Sequence, residues 1–108
     1  MFARLHRVHP QKVFDNNPTI IREPWVVARV VKNNLPYGRA AIIVSKKIAK
    51  HAVSRHLLKR RVSNSCKPLL LPGFDVLLTL TPQIKGVKGK TITLWCKKLN
   101  TRILETLS

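Results

Sequence analysis

Residues 40–61 read Ala40-Ala41-Ile42-Ile43-Val44-Ser45-Lys46-Lys47-Ile48-Ala49-Lys50-His51-Ala52-Val53-Ser54-Arg55-His56-Leu57-Leu58-Lys59-Arg60-Arg61. An apolar, β-rich run passes here into a stretch dense in cations. The run up to Val44 fits a strand. The part from about Lys50 to Cys66 fits a helix on which two stripes separate. Leu58, Val62 and Cys66 step by four and can face a sheet. Arg55, His56, Lys59 and Arg60 follow an i, i+1, i+4, i+5 pattern and form an adjacent face. Lys46, Lys47 and Lys50 extend that face through the junction, and Arg61 closes it. A strand that feeds directly into a charged helix points to an α+β packing.

The flanks agree. His9 to Phe14 reads as a short helix, with Pro10 tolerated in its first turn, and Asn16-Asn17-Pro18 ends it. Thr19–Arg22 reads as a short strand and Trp25–Val31 as a strongly β-branched one. Asn33–Gly38 is a turn cluster, which makes Ala40–Val44 the expected hairpin partner of the Trp25 strand. Beyond the basic helix, Pro68–Gly73 is a connector. Asp75–Leu80 is apolar almost throughout, as expected of a strand buried on both faces. Residues 82–90 form a basic loop expected to be mobile. The last helix shows Ile92, Trp95, Cys96, Leu99, Ile103 and Leu107 along one stripe. The expected architecture is a single domain, 1–108, built as an α-β-β-β-α-β-α sandwich with helices packed on a four-stranded mixed sheet.

The charge narrows the function. The chain has 108 residues with 21 Lys+Arg against 4 Asp+Glu, a net charge of +17. Between Pro24 and Phe74 there are eleven lysines and arginines and no carboxylate. Such a run repels itself unless a polyanion lies against it. An ordinary exposed helix mixes signs, so a merely solvated face explains the pattern poorly. Arginine adds a planar fork that can grip phosphate with two hydrogen bonds. Charge alone leaves RNA and DNA open, and a structural ribosomal-type RNA-binding protein remains the alternative to a processing role.

No stretch approaches the roughly 18 apolar residues of a membrane span, and residues 1–7 lack the apolar centre of a signal peptide. The expectation is a cytoplasmic protein with no membrane partner. Cys66 and Cys96 are then expected as two buried thiols rather than a disulfide.

No catalytic or metal-binding residue is assigned to the protein. Asp15, Glu23, Asp75 and Glu105 fall on four different elements, whereas a metal nuclease needs converging carboxylates. His51 and His56 are five apart and make a poor acid–base pair.

The stretch from Ala41 to Arg61 resembles the signature of the bacterial ribonuclease P protein family. That signature is an apolar strand ending in Ser-Lys-Lys, here Ile42-Ile43-Val44-Ser45-Lys46-Lys47, followed by a helix with an arginine-rich core, here Arg55-His56-Leu57-Leu58-Lys59-Arg60. Lys12-Val13-Phe14 and Leu71-Pro72-Gly73-Phe74-Asp75-Val76 are also similar to the family. The chain departs from the pattern at Pro10, His56, Leu57, Ser63 and Thr81. The resemblance implies the protein cofactor of an RNA enzyme that removes the 5′ leader of precursor tRNA, with Mg²⁺ bound mainly through the RNA subunit. It implies that Lys46, Lys47, Lys50, Arg55, His56, Lys59, Arg60 and Arg61 contact the ribonuclease P RNA. Phe14 and Trp25 would hold the single-stranded leader, in a 1:1 complex of monomeric protein and RNA. For both aromatics, anchoring the core is the competing role.

Overall fold

A computed structural model describes residues 7–65 and 71–107. The elements run α1 (Pro10–Phe14), β1 (Thr19–Glu23), β2 (Val26–Lys32), β3 (Arg39–Ile43), α2 (Ala52–Ser65), β4 (Phe74–Leu80), a 3₁₀ turn (Pro82–Ile84) and α3 (Gly89–Leu107). The four strands form one mixed sheet in the order β1-β2-β4-β3. This is the α+β sandwich expected from the sequence.

One pairing differs from expectation. β3 is not the hairpin partner of β2; β4 lies between them, antiparallel to β2 and parallel to β3. The cause is a polar pin at the head of β4. Asp75 stands opposite Val31 of β2 and Arg39 of β3. Its carboxylate accepts two hydrogen bonds from Arg39, at 2.8 and 2.7 Å, and one from Asn33 Nδ2 at 2.9 Å. The Asp75 hydrogen bond is also the main reason the Arg39 guanidinium is held above its ordinary pKa. Gly73, at φ 84°, folds the chain into this slot. Its carbonyl accepts from the Asn33 N–H and its own N–H donates to Tyr37. The apolar run of β4 then suits a central strand, with Val76, Leu77 and Leu78 fully buried.

Alternation on the strands builds two cores. Val26, Ala28 and Val30 of β2, with Val76, Leu78 and Leu80 of β4, face α2 and α3. The stripe of α3 lands there as expected, with Ile92, Cys96, Leu99 and Ile103 buried. On the opposite face Val8, Val13, Val31 and Leu77 form a smaller cluster that seats α1.

The segment 82–90 is only in part a loop. Within 82–90, Pro82–Ile84 is a 3₁₀ turn anchored by buried Ile84, and the last two residues already belong to α3. Thr81 ties the end of β4 to the β1–β2 turn, its hydroxyl donating to the Pro24 carbonyl at 2.6 Å. Cys96 is disulfide-bonded rather than a free thiol. The expectation of two thiols rested on compartment alone, which says nothing of proximity; Cys66 lies outside the described residues.

Candidate nucleic-acid interface

The basic junction is built around a turn. The Ser45 carbonyl accepts hydrogen bonds from the N–H groups of Ile48 and Ala49, at 3.1 and 3.3 Å. Ile48 is buried and nails this turn to the core, which leaves Ser45, Lys46 and Lys47 outside. Lys50 is exposed on the far side of the turn.

Arg55 serves this junction. Its Nη1 donates to the carbonyls of Ala49 and Lys50, at 3.1 and 2.9 Å. The guanidinium thereby fixes the turn that presents the lysines to the first coil of α2. Arg55 was expected as a plain phosphate ligand, and its geometry gives it this second task. His56 and Arg60, one turn apart, are exposed, as is Arg61. Arg61 Nη1 donates to the Val87 carbonyl at 3.4 Å and links α2 to the loop before α3.

The helix is rotated relative to the sequence reading. Besides Val62, Ser63 is buried to 1%, its hydroxyl donating to the Arg60 carbonyl at 3.0 Å. Lys59 accordingly sits at the margin of the buried arc. It lines a cavity of about 170 Å³ with Arg7, Val8 and residues of β3. The fully outward arc of α2 carries His56, Arg60 and Arg61 and, between them, the exposed Leu57.

A second surface lies across the sheet. α1 covers Val31 and Leu77 but leaves the next cross-strand row uncovered. The register aligns Arg22, Val27, Thr79 and Ile43 in that row. Phe14, at the end of α1, is 44% exposed and stands over this margin. The Arg29 guanidinium lies 4.9 Å from the Phe14 ring centroid and also donates to Thr79 Oγ1 at 3.3 Å. An aromatic ring, a cation and a neighbouring row of mixed apolar and polar side chains suit an unpaired nucleotide. Ile43 of this row ends β3 two residues before Ser45, so the row is close in sequence to the exposed Lys46 and Lys47.

Trp25 is not part of it. Its ring is 3% exposed and packs on Trp95 of α3, with centroids 5.7 Å apart, on the opposite face of the sheet. The core role therefore holds for Trp25. Arg22, Arg29 and Thr79 were not singled out from the sequence. Arg29 is the one charged residue within the apolar run Val26–Val31 of β2, and that interruption is the signal that could have found it.

Among the described residues no three His, Cys, Asp or Glu side chains converge on a possible metal site. Two of the carboxylates are engaged with arginines, Asp75 with Arg39 and Glu23 with Arg102 at 2.9 Å. Mg²⁺ prefers several hard oxygen ligands, and these donors do not fit such a site. Among the described residues no helix is long and apolar enough to cross a membrane.

Comparison with known proteins agrees with these features. The family model described as Ribonuclease P matches residues 4–104. The ribonuclease P protein component of Alcanivorax borkumensis is 28% identical, over 95% of this chain and 90% of its own length. That of Pediococcus pentosaceus is 38% identical, over 71% of this chain and 66% of its own length. Two solved structures share the fold. The RNase P protein from Thermotoga maritima has a TM-score of 0.74 at 21% identity, covering 89% of this chain and 96% of its own. The RNase P protein of Staphylococcus aureus has a TM-score of 0.74 at 19% identity, covering 92% and 94%. With a family match running through both sheet faces, the junction and helices α1, α2 and α3, this chain belongs to the ribonuclease P protein family.

Proposed function

We propose that this chain works as the RNA-clamping subunit of a ribonuclease P holoenzyme. Membership of the family supports a role in tRNA 5′ processing alongside the ribonuclease P RNA. The observation that carries the finer reading is the arrangement of its charge. Lys46, Lys47 and Lys50 on the junction, and Arg60 and Arg61 beside His56 on the outer arc of α2, are all exposed, with no carboxylate in the intervening chain, and would together form one basic surface. This surface would grip the phosphates of the RNA subunit, with Arg55 holding the turn in shape and Lys59 flanking the β3 edge.

The cleft of Phe14, Arg29 and Thr79 would take the single-stranded leader of precursor tRNA. Because Ile43 of the adjoining row leads within a few residues to Lys46 and Lys47, a leader lying there would run onto the RNA-binding surface. The protein side chains supply no catalytic group in this reading. The RNA subunit would hold Mg²⁺ on its phosphates, and the protein would lower the repulsion between RNA, leader and tRNA. One monomer per RNA, acting in the cytoplasm, suffices for this role.

The test is cleavage of a leader-bearing precursor tRNA by the cognate ribonuclease P RNA at low Mg²⁺, with and without this protein. Strong stimulation is expected, with no cleavage by protein alone. A folded protein that binds the RNA yet gives no stimulation would sink the proposal.

A further inference from the structure

α2 leaves two large apolar side chains in solvent. Val53 is 72% exposed and Leu57, one turn further on, is 56% exposed. A single exposed apolar residue is ordinary, but Leu57 forms the lip of a defined groove. Between α2 and the Pro82–Ile84 turn runs an open groove of about 260 Å³. Ile48, Leu58 and Ile84 line it together with Leu57, and Ile48 and Ile84 are held by the core at 7% and 1% exposure. The apolar lining is therefore rigid. Arg61, Lys85, Ser54 and Gly86 complete it, and no carboxylate lines the groove. Arg61 is braced there by its hydrogen bond to the Val87 carbonyl.

The occupant must use both halves of this lining. A bare phosphate would use Arg61 and Lys85 and leave the aliphatic lining idle. An apolar peptide side chain would be indifferent to the two cations. A nucleotide carries a flat base, which packs on aliphatic surface, and a phosphate within reach of a neighbouring cation. The volume falls just under the roughly 300–1,000 Å³ of drug-sized pockets, which suits one base and not a longer ligand. Leu57 also lies at i−3 and i−4 from Arg60 and Arg61, so the groove shares their face of the helix.

We propose that this groove takes one unpaired nucleotide of the RNA that α2 binds, its base against Leu57 and its phosphate on Arg61 and Lys85. The proposal rests on α2 being the RNA-binding helix and adds to that helix a contact with a base.

The experiment measures binding of the cognate ribonuclease P RNA by wild type, Leu57→Ser and Arg60→Ala across a range of KCl. Dimethyl sulfate probing of the saturated complexes accompanies it. Leu57→Ser is expected to weaken binding about fivefold at every salt concentration, because apolar contact is lost. Its log–log salt slope should match wild type, and one or two bases shielded by wild type should become reactive. Arg60→Ala should instead lower the slope by about 0.7–0.9 and leave those bases shielded. Leu57→Lys, which keeps a good helix former, should uncover the same bases while steepening the slope.

Unchanged affinity and unchanged base reactivity in Leu57→Ser would overturn the proposal. So would a loss of affinity that uncovers no base, since Leu57 would then act through the helix. Loss of self-association at constant RNA affinity would assign the patch to a second copy of the chain instead. A wild-type protein that leaves the RNA unbound would remove the underlying reading of α2 as well, and so is distinct from the other outcomes.

Discussion

Asp75 and Arg39 face each other across the parallel β4–β3 pair in a forked contact, Nε 2.8 Å from Oδ1 and Nη2 2.7 Å from Oδ2. The Asp75 carboxylate is almost fully enclosed, and it is the group that holds β4 in the slot between its neighbours. Removing one partner of such a pair leaves the other buried without compensation. Arg39→Met is therefore expected to lower the free energy of unfolding by about 3 kcal/mol. A urea titration followed by circular dichroism checks this, with a lower midpoint and an unchanged slope as the expected result.

The same pair carries a pH prediction. The Arg39 pKa is raised above its ordinary value, first by the Asp75 hydrogen bond. A raised cation pKa contributes stability that is complete below the unfolded value and fades only above the folded one. The stability gap between wild type and Arg39→Met should then stay constant between about pH 8 and pH 10. A gap that closes over that window would show that the cation is not what holds the carboxylate.

Arg55 is expected to matter through shape as well as charge. Lysine keeps the charge but is a point donor without the planar fork. Arg55→Lys should consequently weaken RNA binding nearly as much as Arg55→Ala, and amide exchange of residues 45–50 should quicken in both. Full rescue by lysine would reduce Arg55 to an ordinary phosphate contact.

The two aromatic positions first considered for the leader should separate cleanly. Phe14→Ala is expected to reduce the preference for leader-bearing precursor over mature tRNA, with the melting temperature nearly kept, because the ring is half exposed. Competition binding reads the preference directly.

Trp25→Ala should do the reverse. Loss of a ring buried against Trp95 is expected to cost about 3–5 kcal/mol of stability. At temperatures where the variant is folded, its preference for precursor should equal that of wild type.

The elements legible in the sequence are those whose side chains state their own environment. α3 declares itself through Ile92, Cys96, Leu99 and Ile103, and each of these is buried. The cations of the junction are readable for the same reason, since nothing nearby neutralises them. Strand order is different, because β2 and β3 look alike to any local pattern. Only the distant Asp75 distinguishes a hairpin from a sheet with a strand inserted, and its meaning depends on Arg39 and Asn33 meeting it. The orientation of α2 is illegible for a related reason. Ser63 is polar by type, yet its hydroxyl finds the Arg60 carbonyl and the residue goes inward. Arg29 looks like a solvated charge until α1 brings Phe14 over it.

The insertion of β4 between β2 and β3 sets an order of events during synthesis. The ribosome makes β1, β2, β3 and the whole of α2 before the strand that joins them. Until Phe74–Leu80 emerges, β2 and β3 have no common neighbour and α2 has only part of its apolar bed. The most cationic part of the chain is thus released while its scaffold is still open, and the sheet closes through contacts between residues far apart in sequence, which are slow to form. A nascent chain stopped before residue 80 would carry the charge without the platform that aims it. Domain completion and the display of a shaped cationic surface are, for this fold, a single late step.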